Sequence, residues 1–295
     1  MANNIALFKQ YVPMLDEVYK LASLTSVLDG AAELVEAGRN ANELVIPKMS
    51  MDGLGDYSRN GGYVAGDVTL SYETVSCNFD RGRMFNVDTL DNAETAGIAY
   101  GRLASEFIRT KVVPELDAFR FAKYAGISGI SSASGTLSTG ANVVTALRAA
   151  VDAMDEDEVP TEERYLFITP TLLSLVEDLD TTKSRAVMSR FASVIRVPQT
   201  RFYTAIDQYD GSTSGETSGG YVKASGGADI NFMVIHKPAV IQFQKHVAPK
   251  VITPEQNQSA DAWKFGYRNV GIADVYENKV DGIYLHYKSS SSSST

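Results

Sequence analysis

Cysteine is almost absent from this 295-residue chain. Cys77 stands alone, which excludes an internal disulfide and a thiolate-rich metal centre. Histidine is nearly as scarce. His236, His246 and His286 form no HxH or HExxH spacing and have no cysteine nearby, so the expectation is no metal and no cofactor. No stretch is long and apolar enough to span a bilayer. Residues 1–10 lack the basic start, apolar run and small-residue cleavage site of a secretory signal, and the chain is expected to act where it is made. Positive charge is also in the minority. The 27 Lys and Arg face 36 Asp and Glu, and the net charge of −9 argues against sequence-specific nucleic-acid binding, which depends on cations displacing counterions from phosphates.

Catalytic signatures are missing too. No serine sits in a GxSxG turn. Gly53-Leu54-Gly55 with Gly61 and Gly62 lacks the GK[ST] ending and the strand-then-helix frame of a phosphate loop, so it reads as a hairpin tip. The run Asp155-Glu156-Asp157-Glu158 reads as a solvated helix end, and Cys77, within an alternating strand, as a half-buried packing residue. The expectation is a protein that is not an enzyme.

What is present is a regular succession of elements. Ile5, Phe8, Tyr11 and Val12, then Leu15, Val18 and Leu21, recur at helical spacing until Asp29-Gly30, predicting an N-terminal arm over residues 1–42 with one or two short helices. From Glu43 the period becomes two. Leu44, Ile46, Met49 and Met51 lead into a glycine-rich tip, and Val68, Leu70 and Tyr72 return from it, giving an extended hairpin within residues 43–87. The apolar set then moves to Val75, Cys77 and Phe79, a phase change that predicts a β-bulge near Glu73 or Thr74. A two-stranded hairpin is too small to stand alone, so it must lie on something else.

From Ala96, Tyr100, Leu103, Phe107, Val112, Leu116, Phe119 and Tyr124 mark one long amphipathic helix, with Pro114 predicting a kink or break near residues 110–113. A Ser/Gly loop fills 126–140. Val143, Val144, Leu147, Val151 and Met154 line a second helix, Tyr165 to Ile168 a strand, and Thr169-Pro170 opens a leucine-rich helix. Residues 207–229 read as a polar surface loop, 230–235 and 240–243 as strands, and the Ser-rich residues 289–295 as a disordered tail. The order implies an α+β class.

Val112-Val113-Pro114-Glu115-Leu116-Asp117-Ala118-Phe119-Arg120-Phe121 resembles the spine helix of tailed-bacteriophage major capsid proteins of the Hong Kong 97 fold. Asn257-Gln258-Ser259-Ala260-Asp261-Ala262-Trp263-Lys264, Tyr267-Arg268 and Glu277-Asn278-Lys279-Val280-Asp281-Gly282-Ile283-Tyr284 resemble the C-terminal segment of the same family. Thr169-Pro170 with its helix, and Val194-Ile195-Arg196-Val197-Pro198, resemble its axial domain. The resemblance implies an arm (1–42), an extended loop (43–87), a spine helix with the peripheral domain (88–140), an axial domain (141–250), returning C-terminal strands (251–288) and the tail.

It also implies what such a chain does. A capsid subunit self-assembles into hexamers and pentamers of an icosahedral head shell around double-stranded DNA, in the virion after assembly in the host bacterial cytoplasm. The DNA would be enclosed without sequence-specific binding, which an acidic surface suits, with no membrane involved. A separate scaffolding protein, portal and decoration proteins are the further partners implied. Leu70, Tyr72, Tyr57, Tyr63 and Phe79 are then the candidate inter-subunit contacts. Some members lock the shell through a Lys-to-Asn bond; Lys48, the lysine nearest the hairpin, reads as an ordinary exposed side chain. Three alternatives stand beside this one: an encapsulin-like compartment enclosing enzymes, a hydrolase for which no nucleophile is supplied, and a monomeric module that binds a peptide or ligand.

Overall fold

A computed structural model describes residues 23–30, 36–37, 43–90 and 98–289. The helices expected between Ile5 and Leu21, the helix start expected at 91–95, and the tail from residue 290 lie outside the described residues. Strands β1 (Glu36–Ala37), β2 (Glu43–Met51) and β3 (Val68–Ser76) form one antiparallel sheet, and β4 (Phe79–Asp88) follows. The long helix comprises α1 (Ile98–Phe107), a π-helical turn over Ile108–Val112, and α2 (Val113–Ala125).

Pro114 has no N–H, and its ring crowds the carbonyl four residues back. The chain answers with the wider turn, in which Val113 N–H bonds to Ile108 C=O while Phe107, Val112 and Val113 all keep right-handed helical dihedrals. The disturbance therefore lies where the proline predicts it, as a π-turn inside a continuous helix.

Beyond α2 come β5 (Ser131–Ser134), α3 (Gly140–Glu156), β6 (Arg164–Ile168), α4 (Pro170–Glu177), α5 (Thr182–Met188) and β7 (Ser193–Arg196). Then follow β8 (Ile206–Gln208), β9 (Tyr221–Lys223), β10 (Ile230–His236), β11 (Val240–Ile252), β12 (Ala262–Val275) and β13 (Ile283–Tyr287). The polar stretch read as a plain loop carries a short ladder, since β8 and β9 pair across it.

Two sheets organise the core. The first runs β5-β13-β10-β6-β7, parallel at its two outer pairs and antiparallel within. Its strands alternate between two buried faces. Leu166, Ile168, Phe232, Val234 and Tyr284 meet Leu147, Val151 and Met154 of α3 and Leu172, Leu173 and Val176 of α4. Phe167, Met233, Ile235, Ile283 and Leu285 point the other way, onto Phe121 and Tyr124 of the spine helix. The second sheet, β11-β12-β4, lies against the first half of that helix through Phe79, Phe265, Tyr267, Ala104, Ile108 and Val113. The spine helix thus serves both cores.

The acidic run at 155–158 is exposed, and Asp155 accepts from the buried Arg164 at 2.7 Å. Among the described residues no helix is long and apolar enough to cross a membrane.

Candidate assembly interface

The hairpin is built by β2 and β3 in unbroken antiparallel register, Glu43 opposite Ser76 through to Met51 opposite Val68. The bulge expected near Glu73 is not there. The apolar phase changes because the surroundings change: Val75, at the root, turns inward onto Ile241 and Ile272, whereas the apolar side chains of the outer half are exposed. Directly opposed residues of an antiparallel pair share a face. Pro47, Met49 and Met51 therefore lie beside Tyr72, Leu70 and Val68 on one side, while Lys48, Ser50, Thr69 and Ser71 occupy the other.

That apolar face is open to solvent. Leu70 is 52% exposed and Tyr72 64%, and Met49, Met51 and Val68 are similarly bare. A contiguous exposed apolar strip of this kind marks an interaction surface in soluble proteins. The sequence singled out Leu70 and Tyr72; Met51 and Val68 join them only once the register is known.

The tip, residues 52–67, is exposed yet ordered within itself. Ser58 and Gly62 exchange backbone bonds of 3.1 and 2.7 Å, with Gly62 in the left-handed region at φ 77° that a side chain would strain. Asp52 Oδ2 accepts from Asp67 N–H at 2.9 Å, and the Tyr57 and Tyr63 rings meet edge to face at 4.9 Å. Leu54 and Tyr63 stand almost wholly in solvent. On the polar face, Lys48 Nζ donates to Glu277 Oε2 at 2.7 Å.

Phe79 departs from the expectation. It opens β4, opposite Gly271, is buried, and packs its ring 5.0 Å from that of Phe119, so it is a core residue of its own subunit. Cys77, half-buried, packs beside Val75 and Ile241.

The spine motif acquires a structural meaning at Asp117. This fully buried carboxylate receives Ser23 Oγ at 3.0 Å, Leu24 N–H at 3.1 Å, Thr25 N–H at 3.3 Å, Thr25 Oγ1 at 2.7 Å and Arg201 Nη1 at 3.3 Å. Buried Arg120 donates to Thr25 Oγ1 at 2.8 Å and Asp29 Oδ1 at 3.4 Å, while Gln242 Nε2 reaches Thr25 C=O and Asp29 Oδ1. Tyr124, whose phenol burial holds well above its ordinary pKa, donates to Gln242 Oε1 at 2.8 Å. One charged network thus fastens residues 23–29 to the spine helix, to Arg201 and to β11.

Glu115 acts on the neighbouring side. Its Oε1 accepts from Arg81 Nε at 2.8 Å and Gln208 Nε2 at 3.2 Å, and Arg81 Nη2 continues to Tyr209 C=O at 2.7 Å. These bonds frame a cleft of about 1260 Å3 between β4, the π-turn of the helix and residues 209–223. Phe85, Leu103 and Phe107 supply apolar wall, and Arg83 and Lys111 stand at its margin. Asn269, fully buried, lines it with neither amide atom hydrogen-bonded among the described residues. Leaving such a group unpaired costs about 1–3 kcal/mol. Nothing in the sequence distinguishes Asn269, because its isolation arises only when β12 is laid under the helix.

The histidines lie on three different strands. His236 ends β10, His246 lies on β11 and His286 on β13, and among the described residues no group of three metal-binding side chains occurs. His286 Nδ1 accepts from Asn231 Nδ2 at 3.0 Å, since an amide nitrogen only donates. Burial pushes the pKa of His286 down, and burial with nearby Arg164 does the same to His236.

No family model matches the sequence, and no curated protein matches it. Solved structures do resemble its fold. The capsid of Myoviridae phage XM1 aligns at TM-score 0.54 and 15% identity, over 90% of this chain and 92% of that one. The capsid of cyanophage P-SCSP1u aligns at TM-score 0.55 and 14% identity, over 84% of each chain. A virus-like particle from Pyrococcus furiosus aligns at TM-score 0.56 and 11% identity, over 95% of this chain and 99% of that one. With its exposed hairpin, its spine helix and its two sheets, the chain has the α+β fold of tailed-phage major capsid proteins.

Proposed function

We propose that this protein is the structural subunit of an icosahedral head shell, that it assembles into hexamers and pentamers around double-stranded DNA, and that it performs no catalysis. The observation that carries the reading is the hairpin. A nine-residue pair of strands presents a bare apolar face beyond its own subunit, on a fold whose solved examples include phage capsids. Laying that face on the next copy is a heterologous contact, and a heterologous contact whose rotation closes makes a ring. Leu70, Tyr72, Tyr57 and Tyr63 are the contact residues in this account, with Met49, Met51 and Val68 beside them.

A compartment enclosing protein cargo is the alternative, since the fold also occurs in a virus-like particle from Pyrococcus furiosus. Negative-stain electron microscopy with light scattering on the purified full chain tests the common part. Closed particles or five- and six-fold rings are expected, and a monomer at every concentration refutes self-driven assembly. Nuclease-protected DNA inside the particles decides for a virus head, co-purifying protein for a compartment.

A further inference from the structure

We propose that Asn60, at the hairpin tip, is a site of spontaneous self-modification: its side chain closes onto the Gly61 nitrogen, loses ammonia and leaves the tip with a new carboxylate. Of the asparagines in the chain, Asn60 is the one followed by glycine. The reaction depends on that neighbour. The backbone nitrogen must come close to the side-chain carbonyl carbon, and a Cβ on the following residue hinders the approach that glycine permits.

The turn leaves both groups accessible. Residues 59–61 form a three-residue loop closed by the two backbone bonds between Ser58 and Gly62. Asn60 and Gly61 are exposed, and among the described residues no hydrogen bond holds the Asn60 carboxamide. Exposed loop tips are where a chain is most open to covalent change. Nor does the backbone call for glycine at 61. Gly62, at φ 77°, occupies the left-handed region, whereas Gly61 does not, and a Cβ built on Gly61 would meet nothing closer than Ser58 Oγ at 3.5 Å. What the missing side chain confers at 61 is therefore access to the nitrogen. One contact restrains it: Gly61 N–H donates to Ser58 Oγ at 3.1 Å. That N–H must be given up before the nitrogen can turn toward Asn60 Cγ, so the Ser58 hydroxyl acts as a brake.

The chemistry uses only water. The Gly61 nitrogen, its proton lost to hydroxide, bonds to Asn60 Cγ; the Cγ–Nδ2 bond breaks, and ammonia leaves with a proton taken from water. A cyclic imide remains. Water opens it at either carbonyl, giving aspartate or isoaspartate, so that in sum one water is consumed and one ammonia released. The tip carries Asp52, Asp56 and Asp67 against Arg59, and the product adds a carboxylate to that excess. Isoaspartate also inserts an extra main-chain atom into the loop that brings the Tyr57 and Tyr63 rings together. The reaction needs no second subunit, so it proceeds whether or not the chain forms shells.

The test incubates the purified full chain at mildly alkaline pH and follows the chymotryptic peptide of residues 58–63 by mass spectrometry, with an isoaspartate methyltransferase to label the product. A gain of one dalton in that peptide, growing with time and faster at higher pH, is expected. Gly61→Ala, which the turn accommodates, should lose the signal, and Ser58→Ala, which leaves the backbone bonds to Gly62 in place, should hasten it; thermal unfolding checks that both variants are folded. A peptide of unchanged mass, or an equal gain in the parent and in Gly61→Ala, overturns the proposal. Gains at other asparagines as fast as at Asn60 overturn its selectivity, and an unchanged rate in Ser58→Ala overturns the part given to Ser58.

Discussion

Tyr72→Asp on the outer hairpin separates folding from assembly. The side chain is 64% exposed in the subunit, so the fold holds little of its surface. A tyrosine has about 150–250 Å2 to bury, which leaves about 100–150 Å2 for a partner and, at about 25 cal/mol per Å2, about 2–4 kcal/mol per contact. At about 1.4 kcal/mol per ten-fold, losing it weakens each contact roughly 30- to 1000-fold, before any cost of burying the new carboxylate. Every subunit in a ring repeats the defect. The subunit itself changes little, because substitutions at exposed sites fall within about 0.5 kcal/mol. Thermal unfolding followed by circular dichroism should match the parent, while light scattering and negative stain should show no particles. Leu70→Asp, 52% exposed on the same face, should behave alike. Normal shells from either variant would refute the reasoning, and a variant that fails to fold would show that the hairpin face belongs to the subunit core.

Three further outcomes follow from the interior. Asp117→Ala strips the acceptor from Ser23, Leu24, Thr25 and Arg201 at once; urea unfolding should show a loss of about 3–5 kcal/mol, as for a broken buried ion pair, and a loss below about 1 kcal/mol would remove the latch from the account. Gly140→Ala places a Cβ 2.1 Å from Leu175 C=O and 2.8 Å from Leu179 Cγ where α3 abuts α4, so a cost of about 1–3 kcal/mol and a melting point lower by several degrees are expected, whereas an unchanged melt would mean that the helices part freely. His236 and His286 have lowered pKa values in the folded chain, so the unfolded state binds the extra protons: stability is complete above about pH 6.5 and declines as pH falls through the unfolded value toward the folded ones. Unfolding free energy should fall more steeply with pH below that point in the parent than in His286→Gln, and equal slopes would deny His286 its part.

Much of this arrangement is legible in the sequence where a local rule decides it. Pro114 announces its disturbance because a missing N–H is felt within one turn, and Thr169-Pro170 announces α4 because proline suits a helix start. The hairpin strands are legible from alternation. Their supposed bulge is not, because the same phase change arises when a straight strand passes from solvent to the body of the protein, and only the surroundings of Val75 tell the two apart. Phe79 misleads for a related reason: alternation continues across Cys77 and Asn78 although a new strand with a new partner begins there. β8 and β9 escape notice because three-residue strands leave too short a pattern.

The functional surface divides along the same line. Tyr57, Tyr63, Leu70 and Tyr72 stand out in sequence as large apolar groups in a hairpin too slight to bury them. Asn269 does not, since its lack of a hydrogen-bond partner among the described residues exists only after β4, β12 and the spine helix are assembled. An arm declares itself by what it carries, whereas a buried position is defined only by what the rest of the chain lays around it. A change in the buried network such as Asp117→Ala therefore probes the fold's tertiary arrangement, and one on the arm such as Tyr72→Asp probes its sequence pattern. Lost stability in the first beside lost assembly with intact stability in the second would show that the two kinds of residue do separate work.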